Sequence, residues 1–168
     1  MFVLIRAVTY ATLFIGFLLI FLPNRILSTT GISRPPALGA WQVAGMILAA
    51  VGGALAVTCI LTFVFVGSGT PAPFDPPRRL VVRGPYRFVR NPMYLGAGLA
   101  LSGAALFYQS ILLFGYAALF LLITHVFVVL YEEPTLRRTF DGDYDEYCHH
   151  VGRWWPNRDR GNPGARLR

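Results

Sequence analysis

The chain has 168 residues, enough for one domain and too few for two large ones. It is 55% hydrophobic, 14% aromatic and only 14% charged, against about 25% charged residues in a soluble domain, a balance that excludes an ordinary soluble fold. The net charge is +7 and every basic residue is Arg, but the arginines flank apolar segments instead of forming a soluble basic face, which argues against a nucleic-acid partner.

The acidic residues are placed unevenly. None precedes Asp75, and all the others lie at or after Glu132. A chain that crosses a bilayer confines its charge in this way. The first apolar run, Phe2 to Leu22, is long enough to span a hydrocarbon core and is followed by no Ala-x-Ala cleavage site, so it reads as a retained helix ended by Pro23-Asn24. A second run goes from Trp41 to Val66, and its Gly45, Ala49, Gly52, Gly53 and Ala56 put small residues three or four apart, where a neighbouring helix can approach closely.

Residues 67–91 form a polar loop rich in Pro and Arg, with aromatics interleaved. Loops this long are usually functional or disordered, and the aromatics argue against plain disorder. A third helix is expected from Pro92 to about Phe107, with Asn91 as N-cap and Pro at the first helical position. Tyr108-Gln109 is a tight polar break, and the fourth helix runs from Ser110 to Tyr131. A break that short makes an antiparallel hairpin. Beyond Glu132-Glu133-Pro134, the spacing of Leu136, Phe140, Tyr144, Tyr147 and Val151 predicts an amphipathic stretch on the membrane or on the core, broken at Gly142. The tail after Pro156 reads as disordered.

The fold class expected is therefore all-α, a polytopic integral membrane bundle of about four transmembrane helices plus a C-terminal amphipathic segment. Three parts follow: residues 1–66 with two helices, residues 67–156 as the functional core, and residues 157–168 as a basic tail. The loop 67–91 and the C-terminal region hold twelve of the fifteen arginines, so both are expected on the cytoplasmic side, as are both termini. In a bacterium that membrane is the inner one. Cys59 and Cys148 lack metal-ligand spacing and read as structural, and no metal is expected.

The hairpin gathers polar groups at one membrane face. Arg83, Tyr86, Arg87, Arg90, Asn91 and Tyr94 precede or open the third helix, and Glu132 and Glu133 close the fourth. The start of a helix attracts anions, so Asn91-Pro92 with Arg87 or Arg90 suits a carboxylate or phosphate. The end of a helix disfavours carboxylates, so the two glutamates need a cationic or hydroxylated partner, which is either a ligand or simply an Arg. His125 lies seven residues before Glu132, on the same face of an α-helix, and reads either as a base or as a packed polar group. Gly96 and Gly98 permit close approach by a ligand or by another helix; on spacing alone, helix packing is the better reading.

Three segments, in order, carry a resemblance: Arg83-Gly-Pro-Tyr-Arg-Phe-Val-Arg-Asn-Pro-Met-Tyr-Leu-Gly96, then Glu132-Glu133-Pro-Thr-Leu-Arg-Arg-Thr-Phe-Asp-Gly-Asp-Tyr-Asp-Glu-Tyr147, then Arg153-Trp-Trp-Pro156. Over about residues 78–156 the chain resembles the isoprenylcysteine carboxyl methyltransferase and phospholipid methyltransferase superfamily. The resemblance implies S-adenosyl-L-methionine (SAM) as cofactor and methyl transfer to a lipophilic small molecule or lipid-modified substrate that enters from the surrounding membrane lipids. It maps the family's Arg-x-Pro-x-Tyr-x-Gly element onto Arg90, Pro92, Tyr94 and Gly96, its Gly-x-Gly element onto Gly96 and Gly98, and its paired glutamates onto Glu132 and Glu133. Tyr144, Tyr147 and Arg153 match its C-terminal pattern more loosely. Taken together with the helix readings of Arg87 and His125, the expected cofactor-binding set is Arg87, Arg90, Asn91, Pro92, Tyr94, Gly96, Gly98, Glu132, Glu133, Tyr144 and Tyr147, and the expected catalytic residues are Arg153, Glu133 and His125.

One departure stands out: the family usually has His where this chain has Asn91, which keeps a hydrogen-bonding side chain and loses a titratable one. Two rival readings follow from the same residues. Membrane sterol reductases that use NADPH share a related C-terminal pattern, but Met93-Tyr94 and Ala97 stand where they typically have Asn-Tyr and an acidic residue. The third reading, motivated by Asn91, is a non-catalytic membrane protein.

Overall fold

The computed structural model describes residues 9, 15–33, 35, 37–67 and 80–157. The expected start of the first helix, residues 68–79 of the polar loop and the C-terminal tail from 158 lie outside the described residues. Among those described, the architecture is helical, and the one pairing of extended backbone is an isolated parallel bridge between Val89 and Gly152.

Helix α1 (Leu22–Thr30) continues a π-helical stretch, Ile15–Phe21. Pro23 therefore does not end the helix as the sequence suggested. Proline lacks the N–H that an α-turn needs, and a wider turn just ahead of it absorbs the missing bond. The stop comes at Gly31, with φ 66°, where the Gly31 N–H reaches the Leu27 carbonyl and the Ile32 N–H reaches the same oxygen at 3.2 Å. Only a residue at ease in the left-handed region closes a helix this way without strain.

Helix α2 (Ala40–Thr62) ends in a π-helical turn, Phe63–Gly67. It packs directly against α3 (Pro92–Tyr108), backbone on backbone. A Cβ built on Gly52 would lie 2.5 Å from the Gly96 carbonyl oxygen, and one on Gly96 would lie 2.8 Å from the Gly52 carbonyl oxygen. Gly45 and Gly103 repeat the contact further along. The small-residue stripe of the second helix thus finds its partner. Gly53 is the exception, with nothing within 4 Å, so it lies off the contact face.

Gln109 (φ 49°, ψ 39°) turns the chain, and Ser110 caps α4 (Ile111–Phe127) by accepting the Leu113 N–H at 3.4 Å. The hairpin of α3 and α4 is joined by Tyr94, Ala97, Leu101, Ala117, Phe120 and Val128, which form one apolar core. Helix α4 runs through a π-helical turn, Val128–Glu132, into α5 (Glu133–His150), with no break in the helical path. Its kink falls at Asp141 (φ 44°, ψ −124°), one residue before the glycine expected to break it.

Two helices, Ala40–Thr62 and the one beginning at Ile111, are long and apolar enough to cross a membrane, and Pro92–Tyr108 is a shorter apolar helix. Their outward faces carry Trp41, Ile47, Val51, Leu61, Phe65, Ile111, Leu119, Leu122, Ile123 and Leu130, all exposed. A stripe of that extent is disfavoured in water and suited to lipid. Helix α5 is different: Tyr144, Tyr147 and Val151 pack with Leu80, Val82, Leu136, Phe140 and Cys148, so this amphipathic segment lies on the chain leading into α3.

Candidate active site

The chain ahead of α3 makes a 3-10 turn, Gly84–Arg87, before Pro92 starts the helix. That turn places Tyr86 inward and Arg87 outward, where its guanidinium lies 5.3 Å from the Phe88 ring centre. Arg90, three residues on, points to the interior. Of the two arginines expected to serve the helix start, the structure brings only Arg90 to the glutamates.

Glu133 is the centre of the polar cluster. It is buried, 7% exposed, and receives two guanidinium groups. Arg153 donates from Nε to Oε1 at 2.7 Å and from Nη2 to Oε2 at 2.9 Å, a two-pronged match of planar groups. Arg90 Nη1 lies 2.9 Å from Oε1. Burial alone would raise the Glu133 pKa, but the Arg153 hydrogen bonds and the charges of Arg90, Arg153 and Arg137 outweigh it and hold the carboxyl below its usual range. The same pairing raises the Arg153 pKa. Both members of the pair are therefore ionised at neutral pH.

Arg90 Nη1 also donates to Cys148 Sγ at 2.8 Å and reaches the Tyr144 hydroxyl at 3.5 Å, while Arg90 Nε is buried with no hydrogen-bond partner among the described residues. Among the described residues Nη1 thus carries the side-chain contacts, and Nε is a buried donor without one. Cys148, read from sequence as structural, neighbours this cluster. Two free cysteines without metal-ligand spacing gave no signal for it, and only the helical spacing of Tyr144 and Cys148, four apart on α5, would have.

Glu132 sits one residue earlier, at the end of the π-helical turn, and accepts the Tyr94 hydroxyl on Oε2 at 3.1 Å. Tyr94 lies in the first turn of α3, so this bond ties the opening of α3 to the close of α4, as an antiparallel hairpin requires. Burial pushes the Tyr144 and Tyr147 phenols well above their ordinary range, so both remain neutral. The Tyr147 hydroxyl donates to the Tyr86 carbonyl at 2.6 Å, which makes it a tie between α5 and the 3-10 turn.

Asn91 occupies the N-cap position of α3, its carbonyl accepting the Leu95 N–H at 3.3 Å, but its side chain makes no capping bond, and Nδ2 donates instead to the Arg153 carbonyl at 3.4 Å. Pro92 does take the first helical turn, as expected. The Arg90 N–H adds a bond to the Gly152 carbonyl at 2.9 Å, so the chain after α5 is stitched to the chain before α3 by consecutive residues. The described bond of His125 is to Trp154, whose indole N–H its Nδ1 accepts at 3.0 Å, and the π-helical turn Val128–Glu132 shifts the register between His125 and Glu132. The space freed at Gly96 and Gly98 is filled by α2 and by the Leu121 side chain of α4 respectively.

The cluster is a set of acidic, cationic and phenolic side chains paired with one another at the end of an apolar hairpin. Among the described residues no group of His, Cys, Asp and Glu is arranged to hold a metal ion. No curated protein and no solved structure matches the chain. The phospholipid methyltransferase family model, however, matches residues 41–143, more than half of the chain's length, and that span takes in the Arg90, Tyr94, Glu132 and Glu133 cluster together with the helices that carry it. The chain belongs to the phospholipid methyltransferase family.

Proposed function

We propose that the protein transfers a methyl group from SAM to a lipophilic acceptor within the membrane. The observation that carries the reading is the meeting of Tyr94 with Glu132 and of Arg90 with Glu133, which assembles the family's two motif regions into one cluster. The residues present fit the cofactor. Arg90 Nε is a buried N–H donor with no hydrogen-bond partner among the described residues, the place for a ligand carboxylate, with Tyr144 alongside. Glu132, whose pKa burial pushes up to about 7, offers a carboxyl group to ribose hydroxyls or, once ionised, to an ammonium, and Tyr94 holds it in place. Bound there, SAM supplies an electrophilic methyl group on a sulfonium.

The chain's own residues then orient and shield. Methyl transfer is an in-line displacement, so alignment of donor and acceptor and exclusion of water matter more than acid–base chemistry. Arg153, 33% exposed at its side chain and paired with Glu133, is the cation placed to meet an anionic acceptor or the cofactor's own carboxylate. Asn91 offers no titratable group, and its amide holds the Arg153 backbone. Tyr147, Gly96 and Gly98 serve by keeping α5, α2 and α4 closed around the cluster.

The same reading includes the four-span arrangement, with residues 1–66 as an N-terminal pair of spans, 67–156 as the catalytic core, and the loop, both termini and the cluster on the cytoplasmic face. The distribution of Arg supports that orientation, and the exposed apolar flanks support the spans. The direct test is transfer of radiolabelled methyl from SAM into a lipid extract by the purified protein. Label recovered in the organic phase is expected, and absence of label with every extract tried contradicts the reading.

A further inference from the structure

We infer that His125 is a positioning residue, which acts through Trp154 to hold Arg153 against Glu133. This rests on the methyltransferase reading of the cluster. After His150 the chain leaves regular helix and must be held by individual bonds. Two of these go to the start of α3: the Arg90 N–H to the Gly152 carbonyl at 2.9 Å, and Asn91 Nδ2 to the Arg153 carbonyl at 3.4 Å. Trp154 packs against the α3–α4 core, and its indole N–H donates to the exposed His125 Nδ1 on α4 at 3.0 Å. Arg153 lies between these two anchors.

The geometry matters because Arg153 engages Glu133 through two parallel bonds, 2.7 and 2.9 Å long. A two-pronged pair is sensitive to the angle at which the guanidinium arrives. Anchors on α3 alone fix the backbone of Gly152 and Arg153 but leave rotation toward α4 open; the Trp154–His125 bond removes that freedom. With Nδ1 occupied as an acceptor, the ring proton resides on Nε2. An Nδ1 already engaged by Trp154 is not available to accept a proton from a substrate while the segment is in place.

The experiment uses the full chain in detergent, with His125→Leu, His125→Asn, Trp154→Phe and the His125→Leu/Trp154→Phe double variant. Asn carries an acceptor oxygen near the position of Nδ1 and is not a base. We expect His125→Leu and Trp154→Phe each to weaken S-adenosylhomocysteine binding by about tenfold and to raise KM for the methyl donor more than they lower kcat. The double variant should be no worse than either single one, and His125→Asn should retain most of the wild-type affinity and turnover. A His125→Asn variant as inactive as His125→Leu, with cofactor affinity intact, identifies a base and overturns the inference. So do single-variant losses that simply add. Wild-type protein that fails to bind S-adenosylhomocysteine removes the methyltransferase reading instead. The pairing is then read from ligand-free thermal unfolding of the same four variants, where additive losses overturn it.

Discussion

The Tyr94 hydroxyl and the Glu132 carboxylate meet at 3.1 Å, and through them the first turn of α3 is bonded to the last residue before α5. One residue further along the chain, Glu133 joins Arg90 from just before α3 and Arg153 from beyond α5. Two separate stretches of sequence, residues 90–94 and Arg153, converge on two adjacent acids. The hairpin sets the distance, and the chain after α5 closes over it.

Glu133→Gln should cost about 2–3 kcal/mol of stability, because it leaves Arg90, 11% exposed at its side chain, and the half-buried Arg153 without their shared counter-charge. The pH dependence follows from the depressed Glu133 pKa. A carboxyl whose folded pKa lies below its unfolded value of about 4.3 stabilises fully above that value, and the contribution is lost as pH falls through the folded pKa. Thermal unfolding in detergent between neutral pH and pH ~3 should therefore show the wild type losing an increment on acidification that Glu133→Gln lacks. Parallel curves for the two proteins would remove Glu133 from the stabilising network.

Gly52 and Gly53 are neighbours with opposite surroundings. A side chain at 52 meets the α3 backbone, whereas one at 53 meets nothing within 4 Å. Gly52→Leu should destabilise the bundle by about 2 kcal/mol or more through forced separation of α2 and α3. Gly53→Leu should leave the melting temperature of the detergent-purified protein within error of wild type. Equal effects of the two substitutions would contradict the α2–α3 contact.

Tyr147→Phe should lower stability by about 1–2 kcal/mol, since it deletes a buried hydroxyl and orphans the Tyr86 carbonyl that it serves at 2.6 Å. Cofactor affinity should fall less than in variants of Glu132 or Arg90, because the Tyr147 hydroxyl is directed to the 3-10 turn. The two effects are read by thermal unfolding and by titration with S-adenosylhomocysteine. A Tyr147→Phe protein with native stability and abolished binding would reverse that assignment.

Much of this arrangement is written in local chemistry. Pro92 after a polar residue marks the start of α3, Ser110 marks the start of α4, and the short break between them makes the hairpin that brings Arg90 and Tyr94 to the glutamates. The expectations that failed did so where local preference met tertiary demands. Pro23 and Asn91 carry stop and cap signals, yet a π-helical turn accommodates the first, and the Arg153 carbonyl takes the amide of the second. Arg87 and Arg90 look equivalent in sequence, but a 3-10 turn sends one outward. The ties at Gly152 and Arg153 use backbone carbonyls, which every residue has, so nothing in the sequence marks them.

The central claim, that the close of α4 and the opening of α3 form a SAM site, is tested most directly by calorimetric titration of the purified protein with S-adenosylhomocysteine and with NADPH, alongside the Glu132→Gln variant. Saturable binding of S-adenosylhomocysteine but not NADPH is expected, weakened about tenfold in the variant, the equivalent of about 1.4 kcal/mol. Binding of NADPH instead, or an unchanged affinity in Glu132→Gln, would contradict the account.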